Sequence, residues 1–221
     1  MNEVKVYWTC IEKEWLRAEP PQPVSTLFYQ DRKYTSDHPD VNMHFCPAFN
    51  DHLKNMFGIK SLYSYKFRID PDGNVLSNDF DQDFFARHVN IKSVDKKLFS
   101  FNQSFIFFTD EDTLPTTLSI PPYLEDNNIT ERCMVMPGEL DIAKWFRNID
   151  MAFYLKKNYN EFIIEEGEIF SYIKFHTNKK IKFVPFRQTP KLNALLFDQI
   201  DSKINKKKIF SIDKFYKIFK T

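Results

Sequence analysis

Residues 98–109 read LFSFNQSFIFFT. Phe occupies positions 99, 101, 105, 107 and 108, and neither Gly nor Pro interrupts the run. A strand with one wet face alternates apolar with polar residues, whereas a run that is aromatic on both parities belongs in the middle of a sheet. The stretch therefore predicts a central strand. Working outward, residues 61–76, SLYSYKFRIDPDGNVL, alternate on both sides of Asp70-Pro71-Asp72-Gly73, a turn signal of the hairpin kind. EVKVYWTCI at 3–11 is β-branched or aromatic at Val4, Val6, Tyr7 and Ile11, and reads as a strand that the prolines of EPPQP (19–23) break.

Downstream, prolines at 115, 121, 122 and 137 forbid a long helix but leave room for short strands at 118–120 and 133–136, joined by long ordered loops. DIAKWFRNIDMAFYLKKN (141–158) splits into a helical turn and then a strand through Ile149, Met151, Phe153 and Leu155. EFIIEEGEIFSYIKF (161–175) turns at Glu166-Gly167, and KIKFVPF (180–186) reads as one more strand. Helices are few. CPAFNDHLKNMFGIK (46–60) has Pro47 for a first turn, an apolar face of Phe49, Leu53, Met56 and Phe57, and Gly58 to close the end. DFDQDFFARHV (79–89) carries acids at its start and Arg87 and His88 at its end, the charge order of a helix. From Lys191 the spacing of Leu192, Leu195 and Leu196, then Ile209, Ile212, Phe215, Tyr216 and Phe219, predicts two helices jointed at NKKKIF. The expected fold is α+β and β-rich: an antiparallel β-sandwich or jelly-roll-like single domain over 1–190, with short peripheral helices. A basic helical extension over 191–221 is expected to pack on or beside it.

Composition narrows the function. Across 221 residues, hydrophobic residues at 43% and aromatics at 17% supply a sizeable core. Thirty-one Lys and Arg against thirty Asp and Glu leave a formal charge of +1, so no global field draws the chain to nucleic acid or to an anionic membrane. Cys10, Cys46 and Cys133 form no CxxC pair, which disfavours a disulfide framework and the usual zinc spacings. The charged N-terminus has no apolar run of signal-peptide length and no stretch approaches a membrane span, so the expected setting is soluble and intracellular. With only Gly58, Gly73, Gly138 and Gly167, neither GxGxxG nor GxxxxGK[ST] occurs, which disfavours the common nucleotide-dependent enzymes. Abundant Phe, Lys, Asn, Ile and Tyr are the residues of AT-rich codons and point to a low-GC genome.

In the pieces CPAFNDHLKNMFGIKS, IPPYLEDNNI, RCMVMPGELDIAKWFRN, FYLKKN and EEGEIFSYIKFHT, the chain resembles an uncharacterised protein family of large tailed phages of marine bacteria. The likeness spans roughly residues 5 to 190. More distantly, the order of a Cys-Pro helix start, a Pro-rich strand, a Pro-Gly step, a Trp-containing strand and a Gly-Glu turn resembles a bacterial domain family of unknown function. The resemblance implies a setting, a phage genome in an infected host cytoplasm, and no activity. The basic C-terminal tail departs from the pattern.

Several residue groups invite chemistry. His38, His44, Cys46 and His52 crowd residues 36–53, and a helix starting at Pro47 brings Cys46 and His52 within reach of one zinc or iron ion. The alternative makes Cys46 and Pro47 a buried helix entrance, with His38, His44 and His52 facing water or capping carbonyls. His38 and Asp40 with the distant His176, followed eleven residues later by Arg187, resemble the Fe(II) triad and cosubstrate contact of cupin-like or 2-oxoglutarate oxygenases. The gap between His38 and His176 is wider than that family's. Glu165, Glu166 and Glu168 around Gly167 offer paired carboxylates, or a solvated turn. Trp145 between Lys144 and Arg147 has the aromatic-plus-basic composition of a nucleic-acid contact, or of a half-buried Trp ringed by solvated charge. The tail concentrates Lys203, Lys206, Lys207, Lys208, Lys214, Lys217 and Lys220.

Three functional expectations follow. The favoured one is a phage accessory or virion-associated binding protein without cofactor, contacting a phage or host protein in the host cytoplasm or the virion. An alternative is a non-haem Fe(II) or Zn enzyme. A further one is polyanion binding through the Lys-rich tail, with nucleic acid as partner and no membrane contact.

Overall fold

The computed structural model describes residues 3–10, 18–29, 46–70, 72, 74–77, 85, 88–93, 97–144, 148–187 and 189–190. Strands β1 (Glu3–Cys10) and β2 (Gln22–Pro23) precede helices α1 (Val24–Tyr29) and α2 (Pro47–Leu53). Then come β3 (Met56–Lys60), β4 (Tyr65–Ile69), β5 (Val75–Ser77), β6 (Val89–Ser93), β7 (Leu98–Phe108) and β8 (Pro115–Ile120). Helix α3 (Asn128–Arg132) is followed by β9 (Cys133–Met136), β10 (Gly138–Asp141), β11 (Asn148–Leu155), β12 (Glu161–Ile164), β13 (Ile169–Phe175) and β14 (Lys180–Pro185).

The aromatic run at 98–108 is the central strand. β7 lies between β11 on one side and, on the other, β6 along its first half and β1 along its second. The main sheet runs β14-β1-β7-β11-β9, a second runs β10-β8-β13-β3-β2, and a third is β12-β4-β5. Among the described pairings all are antiparallel except β1 with β14. The protein is a β-rich α+β sandwich with short peripheral helices.

Side-chain parity explains why one sheet faces two. The odd positions of β7 share a face, as period-2 geometry requires. Phe99 and Phe101 sit in a core with Phe67 of β4 and Phe162 of β12, while Phe105 and Phe107 sit in another with Phe57 of β3 and Phe175 of β13. The third sheet thus covers the first half of β7 and the second sheet covers the rest. Aromatic contacts dominate both: Phe99 meets Phe153 edge-on at 4.3 Å, and Phe67 stacks on Phe162 at 5.0 Å. Such pairs add roughly 0.5–1.5 kcal/mol beyond burial. The chain passes from the third sheet to the second at Gly167, whose φ of +85° suits glycine in the turn between β12 and β13.

The structure corrects the expected end of the first helix. Helix α2 stops at Leu53, and Met56, Phe57 and Gly58 belong to β3. Asn55 makes the break: at φ +55° it enters the left-handed region that Asn tolerates, and its amide donates to the carbonyls of Thr177 at 2.7 Å and Lys179 at 3.0 Å. Gly58 serves close packing instead of capping, since a Cβ there would stand 3.0 Å from Leu27 Cδ1 and 3.1 Å from Ile169 Cδ1. Strands β2, β6 and β10 and helices α1 and α3 form where the sequence pattern predicts no element. α3 has a local cause: Asn127 accepts from the backbone of Ile129 and Thr130, while Thr130 Oγ1 accepts from the Asn127 N–H, a capping box. The hairpin expected at 61–76 pairs β4 with β5, although Pro71 and Gly73 lie outside the described residues. So do most of 79–89 and the whole of 191–221.

Candidate binding cleft

β9 runs along β11 at the edge of the main sheet, in register Leu155↔Cys133 to Ala152↔Met136. Pro137 has no N–H to continue a ladder, and the chain leaves the sheet there. From Gly138 it joins the opposite sheet as β10, pairing with β8 and forming that sheet's edge. Two consecutive strands therefore edge opposite sheets at one margin of the sandwich. Between them opens a cleft of about 350 Å³, within the size range of small ligand sites. Its floor is the buried set Phe107, Leu118, Ile142 and Ile149. Met136, Gly138, Glu139, Asp150 and Ala152 form its rim.

Three features set this margin apart. Met134 and Met136 of β9 are 61% and 46% exposed, an unusual state for large apolar side chains on a sheet edge. Ser119, buried in the cleft wall, adopts φ +55° where β8 carries an extra residue against β13. Backbone held in that region costs on the order of 1 kcal/mol and tends to occur where a site is shaped. The rim is also acidic. Glu139 and Asp150 are exposed, and no cation among the described residues stands within ion-pair distance of either.

Asp141, the next carboxylate on β10, is committed to structure. It accepts from Leu114 N–H at 2.8 Å, Thr113 Oγ1 at 2.8 Å and Ala143 N–H at 3.0 Å, and pairs with Lys144 at 3.2 Å. Burial pushes its carboxyl up, but those hydrogen bonds outweigh burial and hold it below the usual carboxylate range. Asp141 thereby fixes β10 against the 113–114 loop and sets the mouth of the cleft.

The residues singled out from sequence lie elsewhere. His52, on the last turn of α2, shares a 2.5 Å hydrogen bond between Nε2 and the Tyr123 hydroxyl. Lys174 Nζ donates to the His52 carbonyl at 2.7 Å. Burial, and then the Lys174 charge, lower the His52 pKa, while burial raises Tyr123 and lowers Lys174. His176 is exposed beyond β13 and bonds Thr117 Oγ1 at 2.7 Å. The two histidines thus have separate partners. Cys46 precedes α2 without a side-chain cap and is exposed, so the helix entrance is not the buried one the alternative reading describes. Arg187 is exposed just past β14. His38, Asp40, His44, Trp145, Arg147, Lys206, Lys207 and Lys208 lie outside the described residues. Among the described residues no group of three His, Cys, Asp or Glu could hold a metal ion. Glu165 accepts from Ser64 Oγ at 2.7 Å, and Glu168 accepts from the Glu165 N–H at 2.9 Å, the bonding of an ordered turn.

The cleft escaped sequence reading because its parts come from five strands and its apolar floor reads only as core. The one local signal is MVMPGEL, two short strands hinged at Pro137-Gly138. Among the described residues no helix is long and apolar enough to cross a membrane. Comparison of the chain with protein-family models, with curated proteins and with solved structures finds no match.

Proposed function

We propose that the protein is a binding protein that engages a polypeptide partner through the cleft between β9 and β10, as an accessory or virion-associated component of a phage. The observation that carries the binding reading is an apolar floor left open at one margin, with the exposed Met136 in its lining and the exposed Met134 on the same strand. Methionine-lined surfaces adapt to varied apolar partners because the side chain is unbranched and polarizable. The lining joins an apolar floor to the exposed carboxylates Glu139 and Asp150, a composition suited to holding an apolar and basic partner. The phage setting rests on the sequence resemblance.

A random peptide library displayed against the immobilised full chain tests the binding reading. Gly138→Trp supplies the control, because Gly138 lines the cleft and a Cβ there meets nothing within 4 Å, so a bulky side chain can be attached at the cleft without a clash at its base. Enriched peptides should bind the natural chain and lose at least tenfold on Gly138→Trp. Peptides indifferent to that substitution, or no enrichment, contradict the reading. For the phage setting, mass spectrometry of purified particles should find the chain, and repeated absence removes the virion form of the proposal.

A further inference from the structure

We infer that the occupant of the cleft is an extended segment of a partner protein, alternately apolar and basic, which adds to β10 as a strand. This inference rests on the reading of the cleft as the binding surface. β10 pairs with β8 through one edge only, from Gly138↔Leu118 to Asp141↔Pro115, and among the described residues no strand takes its other edge. An unpaired edge presents backbone N–H and C=O groups at alternate residues, which an incoming extended chain can satisfy.

Side-chain parity then fixes what that chain must carry. On β10, Gly138 and Leu140 share one face, and Leu140 packs on the core that floors the cleft. Glu139 lies on the opposite face, beside Thr117. A strand laid against β10 meets the same two faces in alternation. Side chains beside Gly138 and Leu140 enter the apolar floor and gain by leaving water. Those beside Glu139 meet an exposed carboxylate that no cation among the described residues pairs. Gly138, with nothing within 4 Å of its Cβ position, leaves room for a large apolar side chain next to it. Lys or Arg at every second position, with Val, Ile or Leu between, satisfies both faces. A globally acidic or a helical segment satisfies neither.

The test uses the full chain and three capped synthetic peptides of six residues: alternating Arg-Val, alternating Glu-Val, and the Arg-Val peptide N-methylated at every second amide. Fluorescence anisotropy should show the Arg-Val peptide bound at least tenfold more tightly than the Glu-Val peptide. Glu139→Lys should reverse that order, and N-methylation on the edge facing β10 should abolish binding. Equal binding of the Arg-Val and Glu-Val peptides overturns the charge assignment, and unimpaired binding of the methylated peptide overturns strand addition. If library peptides remain sensitive to Gly138→Trp while the Arg-Val peptide does not bind, this inference fails and the cleft reading survives. If no peptide of any kind is sensitive to Gly138→Trp, the cleft reading itself fails. A concentration-dependent oligomer of the chain that Glu139→Lys dissolves makes the occupant a second copy and also overturns the partner assignment.

Discussion

One margin of the sandwich is sealed and the other is left open. On one, β14 sets exposed Lys180 and Lys182 and an exposed Pro185 on the edge of the main sheet, and turns Phe183 inward. Phe183 meets Phe57 at 4.9 Å, Phe175 at 5.9 Å and Phe107 at 6.2 Å, an aromatic wall that seals that side. On the other, β9 carries no charge and exposes two methionines, and the gap to β10 stays open to Phe107 from the far side. Lysine and proline on an edge are the usual defence against pairing with another chain. A fold that guards one edge and leaves the other apolar is open to pairing only at the second, and that is the edge to which the proposed partner is assigned.

The largest effect should come from breaking the closed margin. Phe183→Ala removes the wall and should cost about 2–3 kcal/mol in urea unfolding, the scale of a mostly buried Phe. An unchanged midpoint would mean that the two margins do not differ in packing. Next comes the mouth of the cleft. Asp141→Asn should cost about 1 kcal/mol at pH 7 as its hydrogen bonds weaken. Because the Asp141 carboxyl lies below its ordinary value in the folded state, its contribution is present above about pH 4 and fades as pH falls through the folded value. The stability gap between Asp141→Asn and the natural chain should therefore close below about pH 4. A gap that is flat with pH would show that Asp141 is not held as charged.

Guarding is tested by Lys180→Thr with Lys182→Thr. Stability should change by less than about 0.5 kcal/mol, while light scattering should reveal self-association through β14. The smallest effect belongs to the open margin: Met134→Ser with Met136→Ser should leave stability within about 0.5 kcal/mol, since both residues are already exposed. A loss of several kcal/mol would mean that they are packed, and the contrast would be lost.

Strands were legible where pattern alone decides. The Phe run of β7, the alternation of β4 and β5, and the odd-numbered apolar residues of β11 all pair as their spacing implies. Gly58 defeats a sequence reading because a glycine after an apolar helical stretch has the same local signature whether it caps a helix or lets Leu27 and Ile169 close in on a strand. The histidines are rare and cluster in the sequence, yet His52 is engaged by Tyr123, which is 71 residues away and carries no motif. The cleft was illegible for a related reason: Phe107, Leu118, Ile142 and Ile149 are ordinary core residues until the topology places β9 and β10 on opposite sheets. Sequence reports which side chains leave water, and topology decides which of them stay within reach of a partner.

The asymmetry of the two margins is tested most directly by methyl NMR of the full chain titrated with a small apolar probe such as isopropanol. The Met136 ε-methyl and the methyl groups of Leu118, Leu140, Ile142 and Ile149 should shift together in a saturable manner, while Ile181 and Val184 of β14 stay in place. Shifts spread evenly over both margins, or confined to β14, would contradict the account.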